Sequence, residues 1–361
     1  MDKTKIALLG DLALVGKFAD YDSFKNHFKD LKKILNSCDY VIANLEHPFS
    51  NKANTHVPSS IHLKSNPKNI KMLKYLNINI VNLANNHIFD FGPSEVKKTI
   101  LTLSENSIDY FGIGSKNLLI KHNSNQINLS GFCCFSTNGN FYSSKLNSFG
   151  LPPLTYSNVN RRIKINKDKN YFSLLNFHWG DEHTNYPNNF QRKLIQKLNL
   201  NDTVIHGHHS HTIQPFFEDI SSSSCIYYGL GNFCFDEVCS LFVKDFSIKL
   251  NEDNKKTFIP IIEFSKNKII NIEKIGLYND QNGLSINSLV LDELSTISNK
   301  FRKENQKTLD KIRNSQIDST KQEKFETKNL KWILKRLNFN SITFKILTFL
   351  NRFRFRLFFL K

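Results

Sequence analysis

Four histidines lie close together in residues 206–214, which read HGHHSHTIQ. They are His206, His208, His209 and His211. Imidazole is the commonest metal ligand among protein side chains. The segment begins within the end of a strand-like run, TVIHG at 203–207. This pattern predicts a metal site.

Other polar side chains of the metal-ligand type come at the ends of apolar runs, where predicted strands end. They are Asp11, Asn44, Glu46, Asn85, Asn86, His87 and His178. In open α/β sheets, sites form in the crevice beyond the carboxyl ends of the strands. A single histidine in such a place is more often structural, but the joint placement of these residues favours a common metal site.

The donors are oxygen and nitrogen atoms, without thiolates. This set suits Mn, Fe, Zn or Co in an open hydrolytic site rather than a structural zinc. Two such ions about 3.5–4 Å apart can clamp a phosphoryl group and generate hydroxide at neutral pH. We therefore expect a divalent transition metal, with two ions. The six cysteines form no CxxC pair and are expected to be reduced and mostly buried.

The elements that must position these residues follow from the apolar pattern. Apolar runs at 5–10, 40–45, 78–84 and 110–114 predict strands, and amphipathic stretches at about 22–36, 67–76 and 93–106 predict crossover helices. From about 127 onward, strand-like runs with one clear helix, at about 188–198, predict a second sheet. The expected fold class is α/β, with two packed mixed sheets flanked by helices.

The chain is expected to have three parts. Residues 1–280 form the catalytic domain, residues 281–326 a polar linker with a helix near 299–314, and residues 327–361 a basic, aromatic, helical tail. The tail contains nine Lys and Arg, eight aromatic residues and no acidic residue. This mixture is typical of an element that binds an anionic membrane surface. The alternative is that part of the tail packs on the catalytic domain. The run RFRFR at the end of the tail alternates with period two, which argues against a single amphipathic helix there.

The formal net charge of +17 suggests an anionic partner, although a Lys- and Asn-rich bias explains it equally well. Nucleic acid is an unlikely partner, because no nucleic-acid-binding motif is present. The first apolar run is about five residues long, shorter than the roughly 7–15 of a signal peptide. No run approaches the roughly 20 residues of a spanning helix. The expected location is cytoplasmic, peripheral on the inner face of the cell membrane.

Six ordered motifs resemble those of the CapA family of capsule or poly-γ-glutamate synthesis proteins, which are related to calcineurin-like metallophosphatases. They are GD at 10–11, NLEHPFS at 44–50, LANNHIFDFG at 83–92, HWGDEH at 178–183, GHHSHTIQP at 207–215 and YYGLGNFCFD at 227–236. The resemblance covers about residues 4–250 and implies a metallophosphatase-like four-layer sandwich.

The resemblance also implies roles for individual residues. The implied metal ligands are Asp11, Glu46, Asn86, His178, His209 and His211. Glu46 would bridge two ions, His87 would act as general acid and Asp90 would orient or tune it. The implied substrate-binding residues are Asn44, His208, Glu182 and Asn232, with a turn-capping role left open for Asn232. His206 is expected to be structural. The Asp-x-His motif of the superfamily is absent, because Leu12 and Ala13 follow Asp11, so one ion could be weakly bound or missing.

Two functions are compatible with these features. The first is a metal-dependent, phosphoesterase-like hydrolase in capsule or exopolysaccharide/polyanion biosynthesis. Its partner would be an anionic polymer or a phosphate-bearing biosynthetic intermediate. The alternative is a non-hydrolytic polymer-binding or assembly subunit of capsule or poly-γ-glutamate synthesis.

Overall fold

The computed structural model describes residues 3–24, 28–55, 61–137, 149–240, 247–326 and 339–361. The strands are β1 (Thr4–Leu12), β2 (Tyr40–Leu45), β3 (Ile80–Asn82), β4 (Asp109–Phe111), β5 (Leu118–His122), β6 (Asn125–Cys133), β7 (Phe172–His178), β8 (Thr203–His208), β9 (Phe216–Asp219), β10 (Ser224–Tyr227), β11 (Val238–Cys239), β12 (Ser247–Ile248), β13 (Lys256–Ser265), β14 (Lys268–Asp280) and β15 (Gly283–Ile286).

The α-helices are α1 (Tyr21–Phe24), α2 (Lys29–Asn36), α3 (Ile70–Tyr75), α4 (Pro93–Glu105), α5 (Tyr156–Asp168), α6 (Asn189–Lys197), α7 (Leu289–Lys303), α8 (Gln306–Glu326) and α9 (Phe339–Phe358). Short 3-10 helices lie at Gly16–Ala19, Pro67–Asn69 and Glu252–Lys255.

The strands form two large sheets. The first has the order β15-β14-β13-β1-β2-β3-β4, in which β1 to β4 are parallel and β13 to β15 are added as antiparallel strands. The second has the order β5-β6-β7-β8-β10-β9, with a parallel centre and antiparallel edges. Strands β11 and β12 form a small separate ribbon.

The two sheets pack face to face, with helices on both outer sides. Side chains alternate between the faces of a strand. Ile6 and Leu8 of β1 therefore join Leu129 of β6 in the core between the sheets. Ala7 and Leu9 join the core that includes the apolar residues of α2, α3 and α4. The predicted fold class, with two mixed sheets flanked by helices, is confirmed.

Helix α5 was not expected from the sequence. Its sequence YSNVNRRIKINKD is mostly polar, and Val159 and Ile163 are its buried apolar residues. Two apolar positions give too weak a helical period to stand out among the neighbouring strand-like runs. Thr155 caps this helix, since its hydroxyl accepts a hydrogen bond from the backbone N–H of Asn158 (3.3 Å).

The region expected to be a polar linker contains more structure than one helix. Strand β15 pairs with β14 and completes the first sheet, so this sheet extends beyond residue 280. Helix α7 buries Val290, Leu294, Ile297 and Phe301 against the core. Helix α8 follows it for 21 residues. Residues 281–326 therefore belong structurally to the folded body.

Residues 327–338 of the predicted tail lie outside the described residues. The rest forms α9, in agreement with the expected helical tail, and this single helix includes the RFRFR run at 352–356, against which the period-two pattern argued. In a helix Arg352 and Arg356 share one face, since they are four residues apart. The end of α9 packs on the body: the Phe355 and Phe190 rings lie 4.9 Å apart, and the carbonyl of Phe359 accepts a hydrogen bond from the Tyr156 N–H (2.8 Å). Among the described helices, none is both long and apolar enough to cross a membrane.

Candidate metal centre

The candidate site lies where strands of both sheets end. Asp11 is next to the last residue of β1, and Glu46 directly follows β2. Asn86 follows β3, while His178 and His208 are the last residues of β7 and β8. Asn86 is half-buried and the other four are buried. The parallel strands therefore bring these side chains to one place, as the sequence predicts.

Glu46 lies at the centre of the histidines. Its Oε1 atom is 3.6 Å from His178 Nε2 and 3.8 Å from His211 Nε2. Possible ligand atoms of Glu46, His209 and His211 all lie within 4.8 Å of one another. His178 Nε2 is also 2.8 Å from Asn86 Oδ1. One cation could contact several of these atoms after small side-chain adjustments.

The unsatisfied polar atoms of this cluster fit a metal ion. Both carboxylate oxygens of Glu46 are buried, and neither has a hydrogen-bond partner among the described residues. The same holds for the Nδ1 atoms of His178 and His209. Burial and the charge of Asp11 raise the pKa of Glu46 well above its ordinary value. Burial lowers the pKa of His209 to about 4, so its ring is neutral at pH 7 and can donate a lone pair to a cation.

Asp11 is held as a carboxylate by several groups. Its Oδ1 accepts a hydrogen bond from Asn44 Nδ2 (2.8 Å), and His208 Nδ1 lies 3.2 Å from the same oxygen. Its Oδ2 accepts a hydrogen bond from the backbone N–H of His209 (3.0 Å). Burial alone would raise the pKa of Asp11, but its interactions with the neighbouring His208 ring hold this pKa below the ordinary value.

Asn44 and His208 are buried beside Asp11. Asn44 Oδ1 accepts hydrogen bonds from Asn82 Nδ2 (3.0 Å) and Asn85 Nδ2 (3.3 Å). His208 Nε2 lies 3.3 Å from Asn176 Oδ1. These positions favour orientation of Asp11 over direct contact with a substrate, which differs from the expectation for Asn44 and His208.

Three asparagines support these side chains; the sequence pattern marks Asn85 as a ligand-type residue at a strand end but does not single out Asn82 or Asn176. Asn82, Asn85 and Asn176 hold Asn44 and His208, and their side chains are buried. Asn82 and Asn176 lie inside apolar strand runs. A buried amide must find hydrogen-bond partners. An asparagine inside an apolar strand run is therefore the sequence signal that could have identified Asn82 and Asn176.

Asn232 connects the ring of His211 to a neighbouring loop. Its Oδ1 is 2.9 Å from His211 Nδ1, and its Nδ2 donates a hydrogen bond to the carbonyl of Asn254 (3.1 Å). Asn254 Nδ2 in turn donates to the carbonyl of His211 (2.9 Å). Asn232 thus reaches the site and orients His211 so that Nε2 faces Glu46. Asn254 lies outside the six motifs, and no other sequence pattern points to it.

The backbone of the histidine segment is in an unusual conformation. The φ angles of His209 and His211 are 89° and 55°, a region that non-glycine residues rarely adopt. Such positions cost of order 1–3 kcal/mol each and persist where neighbouring contacts impose them. The hydrogen bonds to Asp11 and from Asn254 are contacts of this kind.

His87 and Asp90 form a pair next to the cluster. His87 Nδ1 lies 2.7 Å from Asp90 Oδ2, which also accepts a hydrogen bond from the backbone N–H of Leu63 (2.9 Å). Burial would lower the pKa of His87, but the Asp90 carboxylate raises it above the ordinary value. His206, expected to be structural, is buried, and its Nε2 lies 2.8 Å from the carbonyl oxygen of Leu9.

A cavity of about 820 Å³ opens beside the cluster. Asn86, Glu182, His183 and His209 line one part of it, and residues of α8 and α9 line another. Glu182, expected to bind substrate, is half-buried at this surface. Arg313 of α8 contacts Asp181 and so ties α8 to the loop that follows β7.

The fold and the site together define a four-layer α/β protein with a candidate carboxylate–histidine metal centre at its strand ends. The chain belongs to the family of the bacterial capsule synthesis protein PGA_cap, whose model matches residues 5–237. The family membership that the motifs indicate is therefore confirmed.

Two curated relatives show the same affiliation. The chain is 27% identical over 246 residues to the PGA biosynthesis protein CapA of Bacillus subtilis (strain 168), a match that covers 65% of this chain and 64% of that protein. It is 28% identical over 251 residues to the capsule biosynthesis protein CapA of Bacillus anthracis, covering 65% and 61%. The chain thus spans less than two thirds of the length of these relatives.

Among solved structures, the chain is similar to a protein assigned as a 5′-nucleotidase from Staphylococcus aureus. The TM-score is 0.43 and the sequence identity 9%, with 82% of this chain and 58% of that chain covered.

Proposed function

We propose that this protein is a metal-dependent hydrolase of the phosphoesterase type that acts in capsule, exopolysaccharide or other polyanion biosynthesis. The observation that carries the proposal is the buried carboxylate of Glu46, which has no hydrogen-bond donor among the described residues and lies beside His178 and His211. A buried charge of this kind is stabilised by a cation. Family membership supports the biosynthetic process.

The site would hold two divalent transition-metal ions, which could be Mn, Fe, Zn or Co. Their ligands would be Asp11, Glu46, Asn86, His178, His209 and His211. When bound, such ions polarise a phosphoryl oxygen and lower the pKa of water. Asn44 and His208 would keep Asp11 in position, and Asn232 would do the same for His211. These supporting contacts would fix the ligands before a substrate binds.

His87 would supply a proton to the leaving oxygen. Its Nδ1 faces Asp90, so the opposite ring nitrogen, Nε2, is the atom available for proton transfer. Asp90 would hold the ring, since its own carboxylate is fixed by the backbone N–H of Leu63. A positioned general acid contributes about 10²–10⁴-fold to a rate.

The substrate would be an anionic polymer or a phosphate-bearing biosynthetic intermediate. The formal net charge of +17 supports an anionic partner. The description of the Bacillus subtilis relative as a PGA biosynthesis protein supports a polymer pathway.

Metal analysis combined with turnover assays tests this proposal. Metal-free protein would be loaded separately with Mn, Fe, Zn and Co, and then assayed with para-nitrophenyl phosphate and bis(para-nitrophenyl) phosphate. We expect bound metal and turnover of at least one ester, both reduced in His209→Ala. Tight metal binding without turnover of either ester would overturn the hydrolase and favour a non-hydrolytic polymer-binding or assembly subunit.

We further propose that α9 lies on an anionic membrane surface. Five of its exposed apolar residues recur every three or four positions and so form one face: they are Ile342, Ile346, Phe349, Phe353 and Leu357. Leu350 and Phe358 are exposed as well. Phe349 is 69% exposed. Lys345, Arg352 and Arg356 are exposed cations of the same helix. An apolar face with adjacent cations is typical of helices that bind anionic lipid.

Sedimentation with vesicles tests the membrane proposal. We expect wild-type protein to pellet with anionic vesicles at low salt, and less with neutral vesicles or at high salt. Phe349→Ser with Phe353→Ser should reduce pelleting, whereas Leu101→Ser, which removes an exposed apolar side chain elsewhere (59% exposed), should not. Equal pelleting of both variants would contradict the proposal. Nucleic acid remains an unlikely partner, and weak, salt-sensitive DNA binding would reflect charge alone.

A further inference from the structure

The cavity beside the metal centre has a wall that lies outside the region matched by the family model. The match ends at residue 237, whereas the wall is formed by α8 and α9. Arg352, Phe355 and Arg356 of α9 line the same cavity as His209 and Glu182. A molecule that fills the cavity would therefore contact both the candidate metal centre and the C-terminal helices.

The charges on this wall are not equivalent. Arg313 of α8 is 7% exposed and contacts two carboxylates, those of Asp181 and Asp310, so its charge is compensated. Arg352 and Arg356 are exposed, and neither has a carboxylate partner among the described residues. They are one helical turn apart and on the same face. Two guanidinium groups in this arrangement suit the oxygens of a carboxylate or a phosphate.

The position of these arginines is fixed by contacts at the end of α9. The carbonyls of Phe359 and Lys361 accept hydrogen bonds from the N–H groups of Tyr156 and Ser157, both 2.8 Å long. The Phe355 ring packs against Phe190 of α6 (4.9 Å). The two arginines are therefore held at the cavity rather than carried on a free end.

We propose that Arg352 and Arg356 bind a second anionic group of the substrate, while its reacting group lies at the cluster of Glu46, His209 and His211. This inference rests on the proposed function, because it assumes that the substrate reacts at that cluster. It assigns specificity to the C-terminal extension: the protein selects a substrate with a carboxylate or phosphate at some distance from the reacting phosphoester.

Two phosphotyrosine peptides test the inference, one followed by four glutamates and one by four glutamines. In wild-type protein we expect KM for the glutamate peptide to be about tenfold lower, as charge-assisted hydrogen bonds would give. Arg352→Gln with Arg356→Gln should abolish this difference and leave turnover of para-nitrophenyl phosphate unchanged. The matched control, Lys345→Gln with Lys361→Gln, removes the same charge from α9 and the residues that follow it, outside the cavity lining, and should keep the preference. A peptide with phosphoserines in place of the glutamates distinguishes phosphate from carboxylate.

A binding measurement separates this inference from the proposed hydrolase activity. Fluorescein-labelled tetraglutamate would be titrated with metal-loaded protein and followed by fluorescence anisotropy. If no ester is hydrolysed but tetraglutamate binds wild type and the lysine control better than the arginine variant, the hydrolase proposal fails and the anionic subsite stands. Equal loss of binding in both double variants, or no preference in wild type for glutamate over glutamine, would overturn the subsite.

Discussion

Replacement of Glu46 by Gln tests the metal centre most directly, because it removes a charge and little volume. In the metal-free protein the Glu46 carboxyl group has no hydrogen-bond partner among the described residues, and its raised pKa means that burial and the charge of Asp11 favour its neutral form. The replacement removes the remaining cost of an ionisable group buried beside Asp11. The glutamine amide has an opposing effect, because it needs hydrogen-bond partners of its own. An amide left without them costs about 1–3 kcal/mol of stability. We therefore expect metal-free Glu46→Gln to be as stable as wild type, or up to about 2 kcal/mol more stable.

In the presence of metal the expected effect has the opposite sign. An ion at 100 times its dissociation constant stabilises a protein by about 2.7 kcal/mol. If loss of the carboxylate weakens binding about 100-fold, the same concentration stabilises the variant by only about 0.4 kcal/mol. For a chain of 361 residues 1 kcal/mol corresponds to about 1–2 °C, so the metal should raise Tm by roughly 3–5 °C in wild type and by less than about 1 °C in Glu46→Gln.

The assay is thermal unfolding of chelator-treated protein with and without added Mn or Zn. Glu95→Gln is the control, since Glu95 is also a buried carboxylate but contacts Ser50 Oγ (2.7 Å) and Lys98 Nζ (2.9 Å). This variant should lose stability in both conditions and keep the full metal-induced shift. The reasoning is refuted if Glu46→Gln behaves like Glu95→Gln.

The remaining predictions separate catalysis, metal binding and packing. His87→Ala should keep metal content by elemental analysis but lose about 10²–10⁴-fold in phosphoester turnover. His209→Ala should lose metal instead, and equal metal loss in both variants would contradict these roles. Gly10→Ala should lower the free energy of unfolding in urea by about 1–3 kcal/mol, because the added Cβ would lie 2.1 Å from the carbonyl oxygen of Gly231. An unchanged urea midpoint would contradict this prediction, because it would show that the backbone at Gly231 moves away from the added methyl group without cost.

The sequence predicts the first half of the fold well because its strands are apolar runs bounded by turns. Strand β2 occupies the predicted residues 40–45, and β1 and α4 agree with their predicted positions within a few residues. The site could be located for the same reason, since parallel strands end on the same side of a sheet. Asp11, Glu46 and His178 all come at such ends.

The supporting contacts could not be predicted, because they join residues far apart in the chain. Asp11 lies beside His208, and Arg313 of α8 contacts Asp181 of the loop after β7. No local pattern encodes such pairs. The tail was expected to be helical, but its period-two run argued against one amphipathic helix at residues 352–356; α9 continues through this run, where Phe355 packs on Phe190.

Helix α9 also connects the two C-terminal proposals. Arg352 and Arg356 line the cavity, and the exposed Phe349 and Phe353, each three residues before one of these arginines, lie beside them on the same helix. If an anionic substrate and a membrane both favour the docked position of α9 over an undocked one, each strengthens the binding of the other by the same factor. We therefore expect tetraglutamate to increase the affinity of metal-loaded protein for anionic vesicles, and this increase should vanish in Arg352→Gln with Arg356→Gln. A decrease in vesicle binding caused by tetraglutamate in wild type would show that the peptide and the lipid compete for the same cations.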